Sequence, residues 1–335
     1  MHHSRIALVA LATLAAVAPC LLGACSPRVV SGPGAAEGQA SQPGASDQAT
    51  AGQKTAWPTV SDASPGDSSS GTWPRDSAPI QAAVEAALAG HSGSAYVAYE
   101  SVDGSTTGFS LGGEERVPSA SMIKTAVMAT LLQEAQDGRI SLADGTILRG
   151  QDRVEGSGVV QDMRAGTWLS YGQLAAYMIG QSDNMATNLL IDALGMDAVN
   201  EECQRLGLAD TSLRRKMMDT AAATSGRENY TSASDQARLL LMVARGELVS
   251  PEASERALGW LEDQADTRGL AQGLPDGVAF AHKTGSLDGV RHDGGIVLGD
   301  HPYVFVVMTT GMDQGQADAL MARVSTAVWE AVREP

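Results

Sequence analysis

From residue 77 onward the apolar positions follow two periods in a definite order. Residues 79–88 place apolar side chains every three or four positions, which predicts an amphipathic helix. Residues 94–102 alternate and are rich in Tyr and Val, which predicts a strand. Gly104-Ser105 reads as a turn, with 106–111 as its hairpin partner. A long helical stretch runs from Ser121 to about Glu247, broken by loops, and includes helices at 171–179 and 185–194. Strand patterns return at 278–284, 294–297 and 303–310, and a last helix is predicted over 317–332. Strands at both ends with helices between predict an α+β sandwich. Its antiparallel sheet is built from the N- and C-terminal segments and flanked by helices, with an all-helical lobe beside it.

The chain before residue 77 has a different character. Residues 6–22 form an apolar run rich in Ala, Leu and Val behind Arg5, so 1–24 reads as a secretory signal peptide. Pro19 interrupts the run and no basic stop-transfer cluster follows, which argues against a membrane span. Leu22-Gly23-Ala24-Cys25 resembles a bacterial lipobox, whose cysteine becomes the lipid-modified first residue. Cys20, behind Pro19, fits that pattern less well. Lipid at Cys25 would hold the protein at the outer face of the cell membrane through its acyl chains alone. Residues 25–76 are dominated by Gly, Ser, Pro, Ala, Asp and Gln and cannot bury enough apolar surface to fold. They read as a tether whose ends lie on the order of 40 Å apart under coil statistics. The folded domain is then 77–335.

Composition narrows the partners. The chain has 335 residues, 43% of them hydrophobic, and a formal net charge of −16. That anionic balance argues against nucleic acid and against anionic lipid head groups as partners. Its three cysteines, Cys20, Cys25 and Cys203, offer neither a disulfide framework nor metal-site spacing. Cys203 reads as a lone packed thiol. His282, His292 and Asp293 also have the wrong spacing for a dedicated metal site.

Three short motifs carry candidate chemistry. In Ser121-Met-Ile-Lys124, Ser and Lys three apart on a helix share a face. A serine hydroxyl needs a neighbouring base to become a nucleophile, and a lysine buried away from water has a lowered pKa and can serve. Ser182-Asp183-Asn184 stands between two helices, where all three residue types also favour an N-cap. Lys283-Thr284-Gly285 follows a strand. There a cation suits a substrate carboxylate, and glycine lets a substrate backbone come close. Each motif alone is also explained by capping or by an exposed strand end.

Their order and spacing together resemble the class A beta-lactamases and penicillin-binding proteins, over about 260 residues. Asn188-Leu-Leu after the second motif fits the same pattern. The resemblance implies a serine acyl-transfer hydrolase, monomeric and without cofactor or metal, acting on beta-lactams or peptidoglycan peptides. Ser121 would be the nucleophile, Lys124 its base, and Ser182 a proton carrier. Asn184 would hold the substrate's side-chain amide, and Lys283 and Thr284 its carboxylate. The backbone N–H groups of Ser121 and Ser286 would form the oxyanion hole. Arg291 could add a second carboxylate contact.

One element of the family pattern is missing. Class A enzymes carry Glu-x-x-x-Asn between the second and third motifs, and the Glu activates the water that releases the acyl group. Counting from Gly207 and Leu213, those places fall on Met217 and Ala221. Asp219 and Glu228 lie nearby but off the motif. The expectation is acylation with slow deacylation. A D-Ala-D-Ala peptidase, or a tethered binding lipoprotein without turnover, are the alternatives.

Overall fold

The computed structural model describes residues 75–333. The segments expected to be signal peptide and tether, up to residue 74 and with Cys20 and Cys25, lie outside the described residues. Nine strands and nine α-helices are placed among these residues. The strands are β1 (Ser94–Ser101), β2 (Phe109–Leu111), β3 (Val117–Pro118), β4 (Gly145–Ile147), β5 (Trp168–Ser170), β6 (Tyr230–Thr231), β7 (Phe280–Leu287), β8 (Val290–Val297) and β9 (Tyr303–Thr310). The helices are α1 (Ala78–Leu88), α2 (Lys124–Gln136), α3 (Tyr171–Gly180), α4 (Asn184–Leu194), α5 (Met196–Arg205), α6 (Thr220–Thr224), α7 (Ala233–Ala244), α8 (Pro251–Glu262) and α9 (Gln314–Arg333).

Five strands form one antiparallel sheet in the order β2-β1-β9-β8-β7. Segments near the start and the end of the described residues meet where β1 pairs with β9 along its whole length. Strand β9 alternates between two cores. Tyr303, Phe305 and Val307 pack with α1 and α9, whereas Val304, Val306 and Met308 pack with the helical lobe. With both faces covered, the strand is apolar from Tyr303 to Met308 rather than alternating with polar residues. Each of its fully buried large side chains contributes about 1.5–3 kcal/mol of burial. The α+β sandwich with a helical lobe is therefore the observed architecture.

Several boundaries differ from the sequence reading. The hairpin partner shrinks to Phe109–Leu111, because Thr106 instead bridges Arg75. Strand β7 does not end at the third motif but runs through it to Leu287, and β8 starts at Val290 rather than 294. Arg291, His292 and Asp293, which lie before the strand predicted at 294–297, are buried in β8, where distant partners satisfy each of them. Two helix starts match the sequence: Ser232 accepts from Asp235 N at the head of α7, and Asp183 accepts from Ala186 N at the head of α4. Cys203 is buried, and burial pushes its thiol up to about 12, which leaves it an unreactive core group.

Candidate active site

The site grows from a short turn. Ala120–Ile123 form one 3-10 turn that runs into α2 at Lys124. The α-helix therefore begins three residues later than the sequence suggests. Ala120 explains this, since its φ of 46° is left-handed and breaks helical backbone just before Ser121. The segment is pinned on either side. Ser119 N donates to Asn229 O at 2.8 Å. His292 Nε2 lies 2.8 Å from Pro118 O, and Thr309 N donates to Nδ1 at 3.2 Å. Burial pushes the His292 pKa down to about 4, and its two ring nitrogens lie 2.8 Å from Pro118 O and from Arg291 O. Ser121 is half-buried, one turn from Lys124, and its carbonyl accepts the Lys124 N–H.

Gly285 brings β7 against this turn. A Cβ there would lie 3.2 Å from Ser119 O, from Ala120 Cβ and from Met122 Cγ. A bare glycine is what lets the third motif sit on the first.

Two fully buried amines then meet at one hydroxyl. Lys124 Nζ donates to Ser182 O at 2.6 Å and to Asn184 Oδ1 at 2.9 Å, and lies 3.2 Å from Ser182 Oγ. Lys283 Nζ lies 3.0 Å from the same Oγ and donates to Thr284 O at 2.6 Å. Burial holds the Lys124 pKa well below the usual lysine range, and the Lys283 charge adds to that shift; Asp183 opposes both. Burial likewise lowers Lys283 to about 7, against the pull of Asp293 and Asp266. A neutral amine has two N–H bonds and one lone pair. In that form Lys124 would give its N–H bonds to the two carbonyl oxygens, Ser182 O and Asn184 Oδ1, and keep the lone pair for a proton.

The second motif is both cap and site. Asp183 is fully buried: Oδ1 accepts from Ala186 N at 2.8 Å, and Oδ2 accepts from Val159 N and Val160 N at 2.7 and 2.8 Å. It thereby ties the 155–160 segment to the site. Asn184 Nδ2 donates to Glu155 O at 3.3 Å, so both ends of its amide are engaged. Gly158 has no room for a side chain, since a Cβ would lie 2.1 Å from Asp183 Oδ2. Among the described residues, four non-glycine positions have left-handed backbone, and three of them, Ala120, Ser182 and Met218, fall on this site's segments. Such backbone costs about 1–3 kcal/mol each and tends to mark functional positions.

The third motif spans both faces of β7. Lys283 pairs with Gly294 on the lobe side, and Thr284 pairs with Asp293 on the α9 side. Ser286 is exposed opposite Arg291. Because β7 is an edge strand, a ligand along it can meet groups from either face. Arg291 is clamped by Asp318 at 2.6 Å and Asp266 at 2.9 Å, and its Nη2 is buried without a partner.

The segment between the motifs is also anchored. Asn188 brackets Met217, accepting its N–H at 2.8 Å and donating to its carbonyl at 3.1 Å. Arg215 makes a two-point ion pair with Glu228 at 2.8 and 3.0 Å. Met217 is buried in the lobe core, Ala221 is exposed, and Asp219 caps α6 through Ala222 N at 2.9 Å. Glu228 is therefore spent on Arg215 and Asp219 on the helix. His282 bonds Asp293 at 2.8 Å on the sheet face away from His292, so the three side chains do not gather at one point. No group of three or more metal-ligating side chains gathers among the described residues. The sequence reading missed the hold of Asp183 on 159–160 and of Asn188 on Met217. The glycines at 156 and 158 were the available signal for the first.

Residues 79–332 match the model of the beta-lactamase enzyme family. A beta-lactamase from Streptomyces lavendulae is 31% identical over 212 residues, 59% of this chain and 68% of its own. One from Streptomyces fradiae is 29% identical over 252 residues, 71% of this chain and 80% of its own. Among solved structures, a beta-lactamase from Sphaerobacter thermophilus superimposes with a TM-score of 0.71 at 31% identity, covering 77% of this chain and 98% of that one. A PBP-A structure gives 0.70 at 27% identity, covering 77% and 97%. A PBP-A variant captured as an acyl-enzyme with penicillin G gives 0.69 at 27% identity, covering 77% and 98%.

Proposed function

The chain belongs to the beta-lactamase enzyme family of serine hydrolases, and we propose that beta-lactams or cell-wall peptides acylate it at Ser121 and leave it slowly. The observation that carries this reading is the pair of buried amines on Ser182 Oγ, one of them a helical turn along from Ser121 and with its pKa lowered by burial.

In this reading the Ser121 hydroxyl gives its proton to the Lys124 lone pair while Oγ bonds to the substrate carbonyl carbon. The backbone N–H groups of Ser121 and Ser286 stabilise the oxyanion. The carbon–nitrogen bond then breaks. Ser182 Oγ passes its proton to the leaving nitrogen and takes one back from Lys124. Lys283 and Thr284 bind the substrate carboxylate; Arg291, 1% exposed and held by Asp318 and Asp266, is closed off from it. Asn184 orients the substrate amide while its Oδ1 holds Lys124. Release of the acyl group needs an activated water. Met217 stands at the place where the family's base is expected, and a thioether takes no proton at neutral pH.

The test is a time course of intact mass after mixing with penicillin G. One acyl group should add, map to the peptide containing Ser121, and persist for minutes. Clearance within seconds would contradict slow release, and no adduct at all would contradict the acyl-transfer reading.

The state of Lys283 sets a pH limit. It binds a carboxylate as a cation, and its pKa of about 7 means it loses that charge as pH rises through neutrality. The second-order rate constant for acylation should therefore fall on the alkaline side of about pH 7. Lys283→Arg stays charged and should move that limb beyond the accessible range. Stopped-flow acylation across pH checks both. An alkaline limb unmoved in the Arg variant would assign it to another group.

A further inference from the structure

A cavity of about 420 Å³ opens beside His282, on the α9 side of β7. That volume lies in the range of small-molecule pockets. None of Ser121, Lys124, Ser182 or Lys283 lines it. Its apolar lining includes Leu274, Val278 and Phe280, its acidic lining is Glu262 and Asp276, and no Lys or Arg lines it. Two of its polar side chains are buried, Gln264 and His282. Gln264 is satisfied: Nε2 donates to Ile179 O at 3.0 Å and Oε1 accepts from Asp266 N at 3.1 Å.

His282 is only half satisfied. It is 3% exposed, and Phe280 stacks on its ring with centroids 4.4 Å apart. Its Nδ1 lies 2.8 Å from Asp293 Oδ1, while Asp293 Oδ2 accepts from Leu270 N at 2.9 Å. An ionised carboxylate only accepts, so the proton between them belongs to Nδ1. The neutral ring then keeps a lone pair on Nε2, which has no hydrogen-bond partner among the described residues. With Nδ1 turned to Asp293, Nε2 is the polar atom that His282 offers to the cavity it lines. A carboxylate behind a histidine fixes its tautomer and strengthens the far nitrogen as an acceptor. The acyl-transfer reading makes no use of this arrangement.

We propose that the cavity at His282 is a second ligand site, separate from the acyl-transfer site, for a small molecule that joins an aromatic or alkyl body to an ammonium group. The apolar lining and Phe280 receive the body. The ammonium donates to His282 Nε2, in a lining that carries acidic side chains and no cation to oppose it.

The test is a titration of the full chain with tryptamine, an indole bearing an ethylammonium arm, read from backbone amide signals and the side-chain nitrogen signals of His282. Tryptamine should bind with a Kd on the order of 1 mM, move the His282 Nε2 signal and shift amides centred on 274–282. Indole-3-propionate, the same body with a carboxylate, should bind about tenfold more weakly. His282→Asn keeps an N–H for Asp293 and removes the acceptor, and Val278→Trp fills the cavity with the His282–Asp293 pair intact. Each should weaken tryptamine about tenfold. Should His282→Asn not fold, Val278→Trp decides alone. The proposal is overturned by no binding at about 10 mM tryptamine, by equal binding of the carboxylate, or by a Kd unchanged in the folded variants. Amide shifts centred on Ser121 and Ser182 would place the ligand in the acyl-transfer site and overturn it equally.

Discussion

Replacing Lys124 with Ala should slow acylation by penicillin G on the order of 10³-fold. The reason lies in what the amine touches. Its three neighbours, Ser182 O, Ser182 Oγ and Asn184 Oδ1, are carbonyl and hydroxyl oxygens, and none is a carboxylate. No carboxylate touches it to fix a proton, and burial with the nearby Lys283 charge lowers its pKa, against the pull of Asp183. A lowered pKa is what suits the amine to act as a base. The Ala variant also leaves buried acceptors without a donor, costing about 1–3 kcal/mol of stability, so a thermal melt must show that it still folds. Lys124→Arg separates the two roles, because a guanidinium donates hydrogen bonds but takes no proton. If Lys124 is the base, the Arg variant should be as slow as the Ala variant. Near-wild-type acylation in Arg would make Lys124 a mere organiser of Ser182 and Asn184.

The motifs were legible in the sequence because they are carried by residue type, and the structure brings Lys124, Ser182, Asn184 and Lys283 into direct contact. The two-ended sheet was legible because β1 and β9 are long enough to show their period. What escaped was decided by partners far along the chain. Arg291, His292 and Asp293 are polar residues that join a buried strand only through Asp318, Pro118 O and Leu270 N, each supplied from another element. Strands β3 to β6 have two or three residues each, too few to register any periodicity. Helix α8 did carry a start signal, Ser250 as cap and Pro251 in the first turn, just beyond the point where the helical stretch appeared to stop. The start of α2 was hidden for a different reason. An alanine with left-handed backbone has no sequence signature, and Ala120 is held that way by the packing of Gly285 and the bond from Ser119 to Asn229.

In Met217→Glu, release of the acyl group should accelerate about 10²-fold, turning a trapped adduct into turnover. The backbone at 217 is bracketed by Asn188 on both its N–H and its carbonyl, so a new side chain starts from a fixed point. The flanking anchors, Arg215 with Glu228 and Asn229 with the backbone of Arg214 and Arg215, do not involve the Met217 side chain and should survive the change. Met217 is 7% exposed, and a carboxyl placed there would be raised by burial toward the range where a general base works at neutral pH. The same burial makes the variant less stable, by about 1–3 kcal/mol. Met217→Gln has the same shape and hydrogen-bonding reach but accepts no proton, so its adduct should persist as in wild type. Decay of the acyl-enzyme mass after quenching free penicillin G reads all three proteins directly. Should the Glu variant acylate normally yet release no faster than the Gln variant, the missing carboxylate at 217 is not what holds the acyl group. The slow step would then belong to a water that Lys124 and Ser182 fail to activate.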